Sequence, residues 1–98
     1  MQVRVLAIEP QADPGNFDVV VARGGEQRHF QLVVEFIPLG AELAQIVQDD
    51  EALPQYLHGH FAIDVAIREL VARRHNGESV RLPALVGQIE VPVSVALP

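Results

Sequence analysis

Gly24-Gly25 stands between two alternating runs, Phe17 to Arg23 and Glu26 to Phe36. Taken as a two-residue turn, the glycines set Arg23 opposite Glu26, Val21 opposite Arg28, Val19 opposite Phe30 and Phe17 opposite Leu32. Asp18/Gln31, Val20/His29 and Ala22/Gln27 then share the other side. One face is mostly apolar, the other mostly polar, and an opposite-charge pair closes the turn. A slip of one residue would send every side chain to the wrong face, so the pattern sets the register. It constrains a fold and carries no chemistry.

The flanking segments extend this hairpin. Residues 2–9 are rich in Val, Leu and Ile and stop at Pro10, followed by the turn-forming Asp13-Pro14-Gly15-Asn16. These features predict a first strand over 2–9 and a three-stranded antiparallel meander. Pro38 and Gly40 read as the end of the third strand. Leu39, Leu43, Ile46 and Val47 then fall on one stripe at helical spacing, with Glu42, Gln45 and Gln48 opposite. That spacing predicts a short helix over 41–49. Asp49-Asp50-Glu51 resembles a helix N-terminal signal, because carboxylates there accept free backbone N–H bonds and oppose the positive dipole end. Pro54 restricts the next segment to a single turn or a helix beginning near it.

A longer helix is predicted from Gly59 to His75. Arg73, Arg74 and His75 crowd its last turn, where cations complement the dipole, and Asn76-Gly77 supplies a left-handed stop. Asp64 and Arg68, four apart, pair along it. Ile63, Ala66, Ile67, Leu70 and Val71 make one wide apolar stripe. Phe61 and Val65 fall roughly opposite. A helix lying on one sheet needs only the first stripe, so this pair requires cover of its own. The cover is either the short helix with Tyr56 and Leu57, or another chain.

After Gly77 the pattern predicts a short strand over 79–82, an interruption at Pro83 and a long final strand. Ile89, Val91, Val93, Val95 and Leu97 alternate there with Gln88, Glu90, Pro92, Ser94 and Ala96. Pro92 lacks an N–H and marks a sheet edge. The unblocked stretch around Val93 and Val95 is a second place for a partner to add. The fold expected is a single α+β domain over 1–98. Its sheet is mostly antiparallel, its order is β-β-β-α-(α)-α-β-β, and its helices pack on one sheet face.

Composition narrows the function. Hydrophobic residues are 49% of 98, enough for a core, and aromatic ones only 5%, so that core is aliphatic. The charge of −6 comes from scattered carboxylates, with every basic residue an Arg. That balance argues against nucleic acid and anionic membranes, which need a basic footprint. No Cys means no disulfide, thiolate metal site or Cys nucleophile. Apolar runs fall short of the ~20 residues that span a bilayer, and Met1 to Val5 reads as a strand start and not a signal peptide. A soluble cytoplasmic protein is expected.

Catalytic groups are scarce. Lys and Thr are absent, and neither Ser79 nor Ser94 sits in a nucleophile elbow. Gly24-Gly25 is a turn and not a phosphate loop. His58, His60 and Asp64 form the one constellation with metal-ligating chemistry. His60 and Asp64, four apart, share a helix face, and His58 reaches in from the preceding loop. Gly87-Gln88-Ile89-Glu90-Val91-Pro92 resembles the G-Q-(I/V)-x-(I/V)-P stretch of swapped-hairpin DNA-binding proteins of the AbrB type over six residues. The chain then continues apolar, without the basic helical segment of that family, so the resemblance implies no membership. No cofactor is implied. The expectation is a small acidic protein-interaction module or subunit, a homodimer or the partner of another protein. Its contact residues are expected to be Phe61, Val65, Tyr56, Val93 and Val95. The alternative is a small-molecule or metal-binding domain or enzyme using His58, His60 and Asp64.

Overall fold

The computed structural model describes residues 1–90. Five strands form one sheet: β1 (Gln2–Pro10), β2 (Asn16–Arg23), β3 (Glu26–Leu39), β4 (Glu42–Gln48) and β5 (Ala84–Gln88). Two helices, α1 (Ala52–Tyr56) and α2 (Phe61–His75), lie between β4 and β5 in sequence. The sheet order is β4-β3-β2-β1-β5, and every neighbouring pair is antiparallel.

The β2–β3 hairpin has the register its sequence demands, from Arg23 opposite Glu26 to Phe17 opposite Leu32. Its apolar face is the core face: Phe17, Val19, Val21, Phe30 and Leu32 are all buried. On the polar face Asp18 binds His29 at 2.7 Å and Gln31 at 2.8 Å. In β1 the register against β2 shifts between Val5 and Ala7. The extra residue resets the alternation, so Val3, Val5 and Ile8 all reach the core. From the helices, Leu53, Tyr56, Leu57, Ile63, Ile67 and Val71 join the same cluster. Gly87 lets α2 approach β5 closely, since a Cβ there would stand 2.7 Å from Ile63 Cγ1.

The predicted helix over 41–49 does not form. Residues 42–48 are β4, paired with β3 from Leu39/Glu42 to Val33/Gln48 around the two-residue turn Gly40-Ala41. Gly40 takes φ +63°, so what read as a strand end is a hairpin turn. Pro38 is tolerated inside β3 for a definable reason. The Val34 amide donates to Gly15 O on the β2 side, and ladder groups alternate along a strand, so Pro38 N also points to that side. β2 begins at Asn16, opposite Val33, so no strand meets the missing N–H. Among the described residues the order is therefore β-β-β-β-α-α-β.

The acidic signal before α1 is real. Asp49 Oδ2 accepts from the Leu53 amide at 2.9 Å and Asp50 Oδ1 from the Ala52 amide at 3.3 Å. α2 ends as its sequence states. The Glu78 amide reaches Arg73 O and the Gly77 amide reaches Arg74 O, with Gly77 at φ +83°. The predicted strand over 79–82 is absent, and pairing with β1 instead begins at Ala84. Ile89 is buried, and its amide and carbonyl both bind Met1, which extends the ladder by one residue. The rest of the predicted final strand, with Pro92, Val93 and Val95, lies outside the described residues.

Candidate functional site

His58 and Asp64 are engaged with different arginines, and His60 shares with Asp64 only the rim of a small hollow. His58 Nε2 lies 2.9 Å from Arg23 Nη1. His60 is the exposed N-cap residue of α2, and its side chain caps nothing. Asp64 Oδ1 holds Arg68 Nε at 2.6 Å. Among the described residues no three His, Asp or Glu side chains gather as a metal would require.

Tyr56, expected at an interface, is buried instead. Register explains its surroundings. Arg23 and Arg28 follow Val19 and Val21 onto the core face and clasp the Tyr56 ring, with guanidinium carbons 4.4 and 5.7 Å from its centroid. Phe30 packs on the ring at 5.2 Å, and Arg23 also donates to Tyr56 O at 2.8 Å. The clasp pins α1 to the β2–β3 turn. Burial raises the phenol above its ordinary pKa, and Glu26 adds to the shift. Arg23 Nε is buried without a partner, but its other nitrogens bind Tyr56, His58 and Glu26.

Phe61 and Val65 are not covered within the described residues: Phe61 is 77% exposed and Val65 43%. The internal cover expected for them fails, since the short helix is a strand and Tyr56 and Leu57 turn into the core.

A second apolar surface escaped sequence reasoning. Leu43 is 69% exposed, Leu39 65% and Phe36 56%, and all three stand on the β3–β4 hairpin. Residues 35–44 extend past the start of β2, as a two-stranded ribbon with no third strand among the described residues. Cross-strand pairing places Phe36, Pro38 and Leu43 on the helix-side face and Ile37, Leu39 and Ala44 on the other. Both faces thus carry apolar side chains, the second together with Glu35 and Glu42. The overlooked signal is Pro38-Leu39-Gly40-Ala41-Glu42-Leu43, an apolar stretch with a glycine turn at its centre.

Among the described residues β4 is also the outer strand of the sheet. Its ladder partners on β3 are met by Glu42, Ala44, Ile46 and Gln48, so the N–H and C=O groups of Leu43, Gln45 and Val47 point away from the sheet. Arg68 takes one of them. Its guanidinium donates to Val47 O at 2.5 Å, to Asp64 at 2.6 Å and to Asp49 at 3.0 Å. This network fastens α2 to the end of β4. A paired amide bridge, Gln45 with Asn76 at 2.9 and 3.0 Å, fastens the other end of the helix. His75 packs its ring between Phe17 and Phe36. Among the described residues nothing takes the outward backbone groups of Leu43 and Gln45.

The concavities are small. An open polar hollow lined by Arg74, Glu78 and Ser79 after α2 holds about 290 Å³, the groove between α2 and β5, lined by Ala66, Leu70 and Leu85, about 250 Å³, and the apolar hollow between Pro54 and Phe61 about 100 Å³. Small-molecule sites run to roughly 300–1,000 Å³ and gather polar groups at their base. No helix among the described residues is long and apolar enough to cross a membrane.

The chain matches no protein-family model, no curated protein and no solved structure. What it does must therefore be argued from its own surface.

Proposed function

We propose that this chain is a small protein-interaction module or subunit that works through exposed apolar surface and an open strand edge. The observation that carries the reading is the β3–β4 ribbon. It presents Phe36, Leu39 and Leu43 to solvent beside an edge whose outward groups at Leu43 and Gln45 have no partner among the described residues. An isolated two-stranded ribbon is marginal in water, and large apolar side chains exposed on it are a reason for it to find cover. The uncovered Phe61 and Val65 of α2 support the same reading. The reading takes the cytoplasm as its setting and requires no cofactor, nucleic acid or membrane.

The test compares the wild type with a Phe36→Ser/Leu43→Ser variant. Both positions are exposed, so the variant is expected to stay folded by circular dichroism. Solution mass by light scattering and recovery of a stoichiometric partner from native extract are then measured for both. The wild type should show a mass above one chain, or a partner that the variant loses. Single-chain mass throughout, with identical recovery by both proteins, would remove the reading.

A further inference from the structure

We infer that the partner of this surface is a second copy of the chain, joined edge to edge through β4 in antiparallel register about a two-fold axis at Gln45. The inference rests on the interaction reading above and specifies its partner.

The β4 sequence is self-complementary in that register. Two antiparallel copies of Glu42-Leu43-Ala44-Gln45-Ile46-Val47-Gln48, centred on Gln45, set Leu43 opposite Val47 on the helix-side face and Ala44 opposite Ile46 on the other. Glu42 meets Gln48, so no charge faces its like. Closed two-fold pairing requires this self-matching, since each copy presents the same patch.

The backbone agrees independently. Hydrogen-bonded pairs across the new edge need outward groups opposite each other, and the outward residues are Leu43, Gln45 and Val47. Centring on Gln45 sets Leu43 against Val47 and Gln45 against its counterpart, so the outward positions coincide. Shifting the pairing by a single residue would face outward groups with inward ones. Val47 O already accepts from Arg68, and its second lone pair remains for the incoming Leu43 amide.

Apart from Arg68 on Val47 O at one end, the edge also lacks the usual guards against such pairing. Residues 43–48 contain no charge and no proline, and β4 pairs with β3 without a bulge. Joining two copies would convert two five-stranded sheets into one continuous sheet and bring Leu43 under cover.

The test uses the full chain. Light scattering is expected to give twice the 10.7 kDa chain mass at high concentration. Leu43→Lys, a charge at an exposed edge position, should weaken the dimer at least about tenfold, while Phe61→Asp leaves it intact. Because the chain has no Cys, single cysteines report the register cleanly. Gln45→Cys should form a disulfide-linked dimer on mild oxidation, since directly opposed strand residues lie within disulfide reach. Glu42→Cys, far from its own counterpart in this register, should not. A single-chain mass at every concentration overturns the proposal. So does a dimer lost with Phe61→Asp and kept with Leu43→Lys, or equal cross-linking at both cysteines. If the wild type is a single chain yet recovers a foreign partner that the Phe36→Ser/Leu43→Ser variant loses, the β4 dimer fails and the interaction reading stands.

Discussion

Val19 and Leu32 have no exposure, and each sits on the inner face of the central hairpin. An aspartate at either place would bury a carboxylate in the aliphatic core, among the costliest single changes. Val19→Asp and Leu32→Asp are each expected to abolish the cooperative thermal transition. Survival of either as a native-like fold would break the hairpin register. Tyr56 makes a separate residue-scale prediction. Its phenol titrates above the ordinary 10.0 because burial disfavours the phenolate, with Glu26 reinforcing the shift against the opposing arginines. The folded state therefore holds that proton more tightly than the unfolded state. The stabilisation is complete below about pH 10 and is lost as pH rises through the folded pKa. With one Tyr and no Trp, phenolate absorbance reads this group alone. Its midpoint should lie above 10.0 in the folded protein, with the denaturant midpoint falling over the same alkaline range.

At the scale of elements, Arg68 joins α2, β4 and the start of α1. Asp49, whose side chain is only 5% exposed, and Asp64 both depend on that guanidinium. Arg68→Ala is expected to cost about 2–4 kcal/mol in denaturant unfolding, because it strands a buried carboxylate and frees Val47 O. A loss below roughly 0.5 kcal/mol would reduce the network to an ordinary surface pair. The sequence discloses only the Asp64–Arg68 part of this, since Asp49 and Val47 arrive by tertiary packing. The hairpin was legible because its two faces differ in polarity and Gly24-Gly25 sets the turn. The end of α2 was legible because caps are local. β4 was not, because a ribbon with apolar side chains on both faces loses the two-residue period, and Leu39, Leu43, Ile46 and Val47 then mimic a helix. Of the candidate contact residues, Phe61 and Val65 stand exposed on the helix face that the pattern separates from the core stripe. Tyr56 was misplaced because its cover comes from Arg23 and Arg28, distant in sequence.

Across the whole molecule, protection from hydrogen exchange should be graded. Backbone amides of β1 and β2 lie in the sheet interior beneath the helices and should exchange slowest. Amides of residues 35–44, in the ribbon beyond β2, should exchange fastest among the strands in dilute protein. Pairing through β4 predicts that Leu43, Gln45 and Val47 amides slow as concentration rises, while Glu42, Ala44 and Ile46 amides change little. Uniform slowing across the molecule would speak for a different contact.

The place of β1 also bears on how the chain assembles during synthesis. It is made before the other strands, yet it takes an interior place whose outer neighbour, β5, emerges only after α2. The strands from β1 to β4 can zip together by neighbouring hairpins while translation continues. Until Ile63, Ile67 and Val71 arrive, that nascent sheet shows a bare aliphatic face. Until Ala84–Gln88 arrives, β1 is a raw edge as well. A ribosome stalled between β4 and α2 would therefore hold out the stickiest species this chain produces, and that interval is where a chaperone would be needed most.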